Sequence, residues 1–146
     1  MVSFREIVER DIQDLFIVRT RTHQNCLTLG DLHELGITEE SVKVRMQGTY
    51  KGWLCEVDGQ MVGFAMGDRA TGELWVIAVL PEYIGFGIGA RLLALVEGWL
   101  AESGCTHLWL TTDIDPSLKA YGFYRAHGWK DDRIEDGVRY MEKKVA

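Results

Sequence analysis

The stretch "WVIAVLPEYIGFGIGARLLALVEGWL", residues 75–100, constrains the fold more than any other part of the chain. An apolar run ends at Pro81, and glycines follow at every second position, Gly85, Gly87 and Gly89. Leu92, Leu93, Val96, Trp99 and Leu100 then recur at helical spacing. The pattern predicts a buried strand, a tight loop and an amphipathic helix with no linker between them. A strand that turns into a helix through glycines aims consecutive backbone N–H groups at one point above the helix N-terminus, where the helix dipole favours an anion. Side chains there would stand between main chain and ligand, so the pattern points to a pyrophosphate cradle. The plainer alternative is a turn that needs glycine only for positive φ.

The flanks set the fold class. Upstream, "VSFREIV" alternates as a first strand, and "ERDIQDLFIVRTRTHQ" places Ile12, Leu15, Phe16 and Arg19 at helical spacing behind Glu9 and Asp11. Thr38, Glu39, Glu40 and Ser41 then open a short second helix. Residues 50–80 change to two-residue alternation broken at Asp58-Gly59 and around residues 69–72, which predicts a three-stranded antiparallel meander. Downstream, "HLWLTTD" reads as a buried strand, "SLKAYGFYRAHGW" as a helix ended near Gly128, and "GVRYMEKKV" as a closing strand. Antiparallel strands first and a strand-helix-strand unit later predict an α/β (α+β) fold, a mixed, mostly antiparallel central sheet flanked by helices. A chain of 146 residues that is 47% apolar can bury one substantial core, so a single domain over 1–146 is expected.

Charge and cysteine usage narrow the function classes. The net charge is −6 and no stretch gathers basic residues into a stripe, which argues against nucleic acid as a partner. The first residues carry no basic leader with an apolar core, and no apolar run approaches the roughly 20 residues of a bilayer span, so a cytoplasmic protein without a membrane partner is expected. Cys26, Cys55 and Cys105 are odd in number and lack ligand spacing, as reduced, mostly buried thiols would. His23, His33, His107 and His127 show no metal spacing either, and no metal is expected.

Two phosphate-binding families fit the glycines. "GFGIGA" satisfies the dinucleotide pattern G-x-G-x-x-A, but Pro81, Glu82, Tyr83 and Ile84 separate it from the strand, antiparallel strands precede it, and Cys105 stands where an acidic residue belongs. "VLPEYIGFGIGARLL" instead resembles the pyrophosphate-loop motif R/Q-x-x-G-x-G/A of the GNAT superfamily of acyl-CoA-dependent N-acetyltransferases. "SLKAYGFYRAHGW" is similar to that family's other cofactor segment, N-x-x-A-x-x-[FL]-Y-x-x-x-G-[FW], in register over residues 117–129. Element order and length agree over nearly the whole chain.

The resemblance implies acetyl transfer from acetyl-CoA (coenzyme A) to a primary amine. It places the cofactor along Ile77, Ala78 and Val79, whose strand is bulged in the family, and over Gly85, Phe86, Gly87, Ile88, Gly89 and Ala90, with Ser117 and Tyr124 completing its site. Backbone N–H groups at 77–79 would stabilise the developing oxyanion. Tyr124 is implied as the general acid toward the departing thiolate, with Tyr121 as backup, and Glu73 as the base. Ile84 stands at the Arg/Gln position and Ser117 at the Asn position, departures that keep open a CoA-binding sensor without turnover. The acceptor surface falls to the first two helices and the segment "KDDRIEDGVRY", which leaves a small-molecule or peptide amine open. Asp113 and Asp115 line the cleft or form a solvated turn, and Asp131, Asp132, Glu135 and Asp136 attract a cation or are a solvated run. A monomer or a homodimer fits equally.

Overall fold

The protein is described here by a computed structural model covering residues 1–22 and 28–145. His23 and Cys26 lie outside the described residues. Strand β1 (Val2–Glu6) leads through a 3-10 turn into helix α1 (Ile12–Arg19), followed by α2 (Leu29–Glu34) and α3 (Glu39–Gln47). The meander β2 (Tyr50–Val57), β3 (Gln60–Asp68) and β4 (Glu73–Val79) comes next, then α4 (Ile88–Glu102) and β5 (His107–Asp113). Helix α5 (Lys119–Ala126), β6 (Lys130–Glu135) and β7 (Val138–Lys144) close the chain. The strands form one sheet in the order β1-β2-β3-β4-β5-β7-β6, in which only β4 and β5 run parallel. The mixed, mostly antiparallel sheet expected from the sequence is what the chain forms.

Local chemistry accounts for the helix starts. Thr38 accepts from the Ser41 N–H at 3.1 Å while Ser41 Oγ accepts from the Thr38 N–H at 2.8 Å, the reciprocal cap foreseen there. Thr28 and Asp31 exchange the same pair of bonds at 3.0 and 3.1 Å and start α2, a helix the sequence reading did not separate from α3. At the other end, Lys130–Glu135, expected as part of a loop, forms the edge strand β6 with every residue exposed.

Successive β3 residues point to opposite faces and divide the helices between them. Gly63 and Gly67 face Leu92, Val96 and Leu100 of α4, whereas Phe64 and Met66 face α1. Helix α4 sinks Ile88, Leu92, Leu93, Val96 and Leu100 into the core, which is worth on the order of 10 kcal/mol of gross apolar burial before chain entropy is counted. That burial fixes where the α4 N-terminus sits: directly after β4, at the open end of the sheet.

Candidate active site

The sheet comes apart where β4 meets β5. Their parallel pairing joins Glu73 to Trp109 and no residue beyond it, so from Trp75 to Val79 the β4 edge that faces β5 lacks a partner strand among the described residues. The joint is tight. Gly72 turns at φ +82°, and a Cβ there would stand 2.7 Å from the His107 carbonyl oxygen. Beyond the joint, register decides which backbone groups face the opening. Leu80 donates to the Val62 carbonyl, and the pairs Phe64–Ala78 and Met66–Val76 follow in step, so the N–H groups of Val76, Ala78 and Leu80 belong to the β3 ladder. Those of Ile77 and Val79 point the other way, into the cleft. Ala78, one of three expected to present its N–H to a ligand, is therefore spent within the sheet. The expected bulge is also displaced, because Met66 pairs with Val76 and Gly67 with Leu74, which leaves Trp75 as the extra residue.

The cleft runs up to the start of α4. Gly87 caps that helix in the left-handed region at φ +80° and Gly85 sits at +94°, with open space where either Cβ would be. No side chain caps the helix and its first turn carries no acid, so the Ile88, Gly89 and Ala90 N–H groups and the helix dipole face outward uncompensated. Gly89 differs. Its φ is ordinary, and a Cβ there would meet the Phe123 ring of α5 at 3.5 Å, an ordinary contact, so neither the turn nor the packing requires glycine at this position. The Ile88 side chain is core, whereas Phe86 is 74% and Ile84 47% exposed at the loop surface. An unneutralised, uncapped helix start approached by free main chain fits a diphosphate carried on an extended arm.

Two ionisable side chains expected to serve this cleft are shifted by their surroundings. Tyr124 of α5 is 7% exposed, with its ring against Phe123 and Trp129 at centroid distances of 5.6 and 6.1 Å. Burial pushes its phenol well above the ordinary value, and the Arg19 charge from α1 pulls it part of the way back. The proton is thus held firmly at rest, and the positive potential of Arg19 favours the phenolate left when it departs. Glu73 sits at the joint itself, half-buried. Burial pushes its carboxyl up, the Asp68 charge adds to that, and Arg45 opposes both. A raised carboxyl is a better base toward an amine than a solvated one.

Residues 18–129 match the model of the acetyltransferase (GNAT) family. The chain belongs to this family. Over 103 residues it is 29% identical to an uncharacterized N-acetyltransferase of Methanocaldococcus jannaschii, covering 63% of this chain and 65% of that one. Over 90 residues it is 30% identical to an aminoglycoside N(6')-acetyltransferase type 1 of Stenotrophomonas maltophilia, covering 53% and 57%. The chain thus spans less than two thirds of the length of these curated relatives. In three dimensions it resembles the PaiA N-acetyltransferase of Thermoplasma acidophilum in complex with coenzyme A, with a TM-score of 0.85 at 21% identity over 99% of both chains. It also resembles the ribosomal-protein-S18-alanine N-acetyltransferase of Escherichia coli, with a TM-score of 0.79 at 20% identity over 100% of this chain and 95% of that one.

Several residues singled out in the sequence lie elsewhere in this GNAT fold or are otherwise engaged. Ser117 is exposed ahead of α5, and its hydroxyl and N–H both bond to the Asp115 carboxylate at 2.7 and 2.9 Å, a turn that occupies the group expected to reach a cofactor. Asp113 accepts from the Asp115 N–H in the same turn. Tyr121 donates to Asp131 at 2.8 Å rather than serving the cleft. Asp131 is further bound by Arg139, and Asp132 and Glu135 share Arg133, so three acids of this run are engaged by its own arginines. His107 pairs with Glu142 and His127 with the Phe123 carbonyl oxygen. No cluster suited to a metal occurs among the described residues. Cys55 is buried and Cys105 partly so. No helix among the described residues is long and apolar enough to cross a membrane.

The sequence reading missed Arg19, Arg45 and Trp75 as parts of this site. Arg45 lies over the Trp75 ring at 4.5 Å and over Tyr50 at 5.3 Å, and Tyr50 meets Trp75 edge-on at 5.1 Å. The arginine on the otherwise apolar face of α1 was the one available signal.

Proposed function

We propose that this protein transfers the acetyl group of acetyl-CoA to a primary amine by direct attack. The observation that carries the reading is continuity. The unpartnered main chain of Ile77 and Val79 leads without a break to the uncapped start of α4, giving one track for a pantetheine arm and one anchor for its diphosphate. Gly85, Phe86, Gly87, Ile88, Gly89 and Ala90 would hold the diphosphate end through their main chain. Acetyl-CoA, when bound, supplies an activated thioester carbonyl. The PaiA likeness, with coenzyme A in that protein, supports the assignment.

Each residue then has one task. The Ile77 N–H donates to the oxygen that gains charge as the amine adds, a stabilisation that acts without reorganisation because the strand is already fixed by β3. The Glu73 carboxylate takes the proton from the attacking nitrogen through a chain of waters, since the joint lies about four strand residues from Ile77, roughly 13 Å along β4. Tyr124 Oη gives its proton to the sulfur as the carbon–sulfur bond breaks and the carbon–nitrogen bond forms, and solvent restores that proton. Among the expected contacts, Ser117 and the Ala78 N–H have no part in this arrangement.

The test is thiol release from acetyl-CoA across a library of primary amines, with melting temperature recorded in acetyl-CoA, CoA and NAD. Acetyl-CoA at a hundredfold excess over its dissociation constant should add about 2.7 kcal/mol to stability. Equal stabilisation by NAD would overturn the cofactor, whereas stabilisation without thiol release to any amine would leave a CoA-binding sensor.

A further inference from the structure

On the face of the sheet opposite α4 lies a cavity of about 130 Å³, framed by α1, the segment around α2 and α3, and the sheet. Its walls are apolar: Leu15 and Phe16 of α1, Leu32, Ile37, and Phe64 and Met66 of β3 are among them. Trp75 and Val76 of β4 also line it, directly before Ile77 in the strand. Arg19 is in the same lining, and its charge is also felt by the Tyr124 phenol, the proposed proton donor.

We infer that the acceptor is a primary amine carrying one compact apolar group, of about the size of a phenyl ring or a branched aliphatic chain, which occupies this cavity while the nitrogen reaches the cleft. The inference rests on the transferase reading and names the acceptor class for that site. Three observations carry it. The volume is close to that of dry cavities that accept a benzene ring. The wall at Trp75 is preorganised, because the ring is clamped between the Arg45 guanidinium on its face and Tyr50 on its edge, so little order is lost when a ligand packs against it. Among the described residues that line the cavity Arg19 is the one charged side chain, so no carboxylate there awaits a second ammonium group on the acceptor. In the acidic run, Asp131, Asp132 and Glu135 are already engaged by Arg139 and Arg133.

The inference separates this chain from acceptors such as polyamines and aminoglycosides. Thiol release with phenethylamine should exceed that with methylamine or spermidine by about tenfold or more in kcat/KM, the range for one apolar group seated in a fitted pocket. Ile37→Trp, which fills the cavity from its loop side, should collapse the phenethylamine-to-methylamine ratio by a similar factor, chiefly through KM, while acetyl-CoA still raises the melting temperature. Spermidine matching or outrunning phenethylamine would overturn the inference, as would an unchanged ratio in the variant. If Ile37→Trp does not fold, Ile37→Ala carries the test by shifting preference toward the larger naphthylmethylamine, and an unshifted preference overturns it. If no amine is acetylated, the transferase reading falls and calorimetry with phenethylamine judges the cavity alone: binding that the Ile37 variants alter upholds the apolar subsite, and no binding to the folded wild type removes it.

Discussion

The laddered strands from β1 to β4 and the seam between β4 and β5 are built by opposite rules. From β1 to β4 every strand is paired along most of its length with its neighbour, and short turns join β2 to β3 and β3 to β4. Between β4 and β5 the pairing stops at Glu73 and Trp109, after which β7 and β6 complete a second ladder on β5. Unpaired main chain is costly in a buried strand and useful in a binding strand. Here the cost falls where Ile77 and Val79 face a cleft that a ligand can fill. The fully laddered half supplies rigidity, and the open seam is where the proposed chemistry falls, so substitutions in the two regions should separate stability from function.

The largest separation is expected at the loop that ends the seam. Gly87→Asp puts a side chain at φ +80° and a carboxylate on the helix start, so acetyl-CoA should no longer raise the melting temperature and turnover should fall below detection. Retained binding would mean that the glycines serve the turn alone. Next comes Tyr124→Phe, which keeps the ring against Phe123 and Trp129 and deletes the proton. Turnover should fall by about 10²- to 10⁴-fold with acetyl-CoA affinity little changed. A stable variant with undiminished kcat would remove Tyr124 from the mechanism and leave water to protonate the thiolate.

The same contrast explains what could be read from the chain in advance. The strand, loop and helix beside the seam were legible because their signals are local: glycines at alternate positions, an apolar strand before them and an amphipathic helix after. The two cofactor segments could be aligned residue by residue for the same reason. The main-chain polarity of β4 was not legible, since whether Ala78 or Ile77 faces the cleft depends on which β3 residue each one opposes, and the extra residue at Trp75 shifts that count. Strand β6 escaped because Ile134 is its one apolar residue, although Asp136-Gly137 offers the hairpin dipeptide that was read correctly at Asp58-Gly59. Ser117 shows the limit of a motif match. Its position in the segment is right, but a neighbouring carboxylate claims its hydroxyl.

In the laddered half a smaller effect of the opposite kind is expected. Asp11, at the start of α1, accepts two bonds from Arg5 at 2.8 and 2.9 Å and one from the Val8 N–H at 2.8 Å, tying the helix to β1. The Arg5 hydrogen bonds hold its carboxyl below the ordinary range. A depressed carboxyl stabilises the fold above the unfolded value near 3.9 and loses that contribution as pH falls through the folded value. Asp11→Asn should therefore cost about 2 kcal/mol at neutral pH, discounted because Arg5 is partly solvated, and the cost should shrink in acid. Its kcat should stay near that of the wild type. A variant that keeps its stability but loses rate would break the division between the two halves.

The smallest effect tests the joint where the halves meet. Glu73 must be ionised to accept a proton, and its carboxyl is already pushed up by burial and by Asp68, with Arg45 pulling it down. Arg45→Met keeps a long apolar side chain over Trp75 and removes that charge, so the carboxyl should rise further and the acid limb of the kcat/KM profile should move to higher pH. A shift of about half a pH unit is the scale for one charge acting through partly wet surroundings. At pH well above the limb the variant and the wild type should converge, because Glu73 is then ionised in both. A lower rate at every pH with the limb in place would assign Arg45 to the wall of the cavity rather than to the base. A limb that follows neither Arg45→Met nor Glu73→Gln would place the titrating group elsewhere and leave the joint as structure alone.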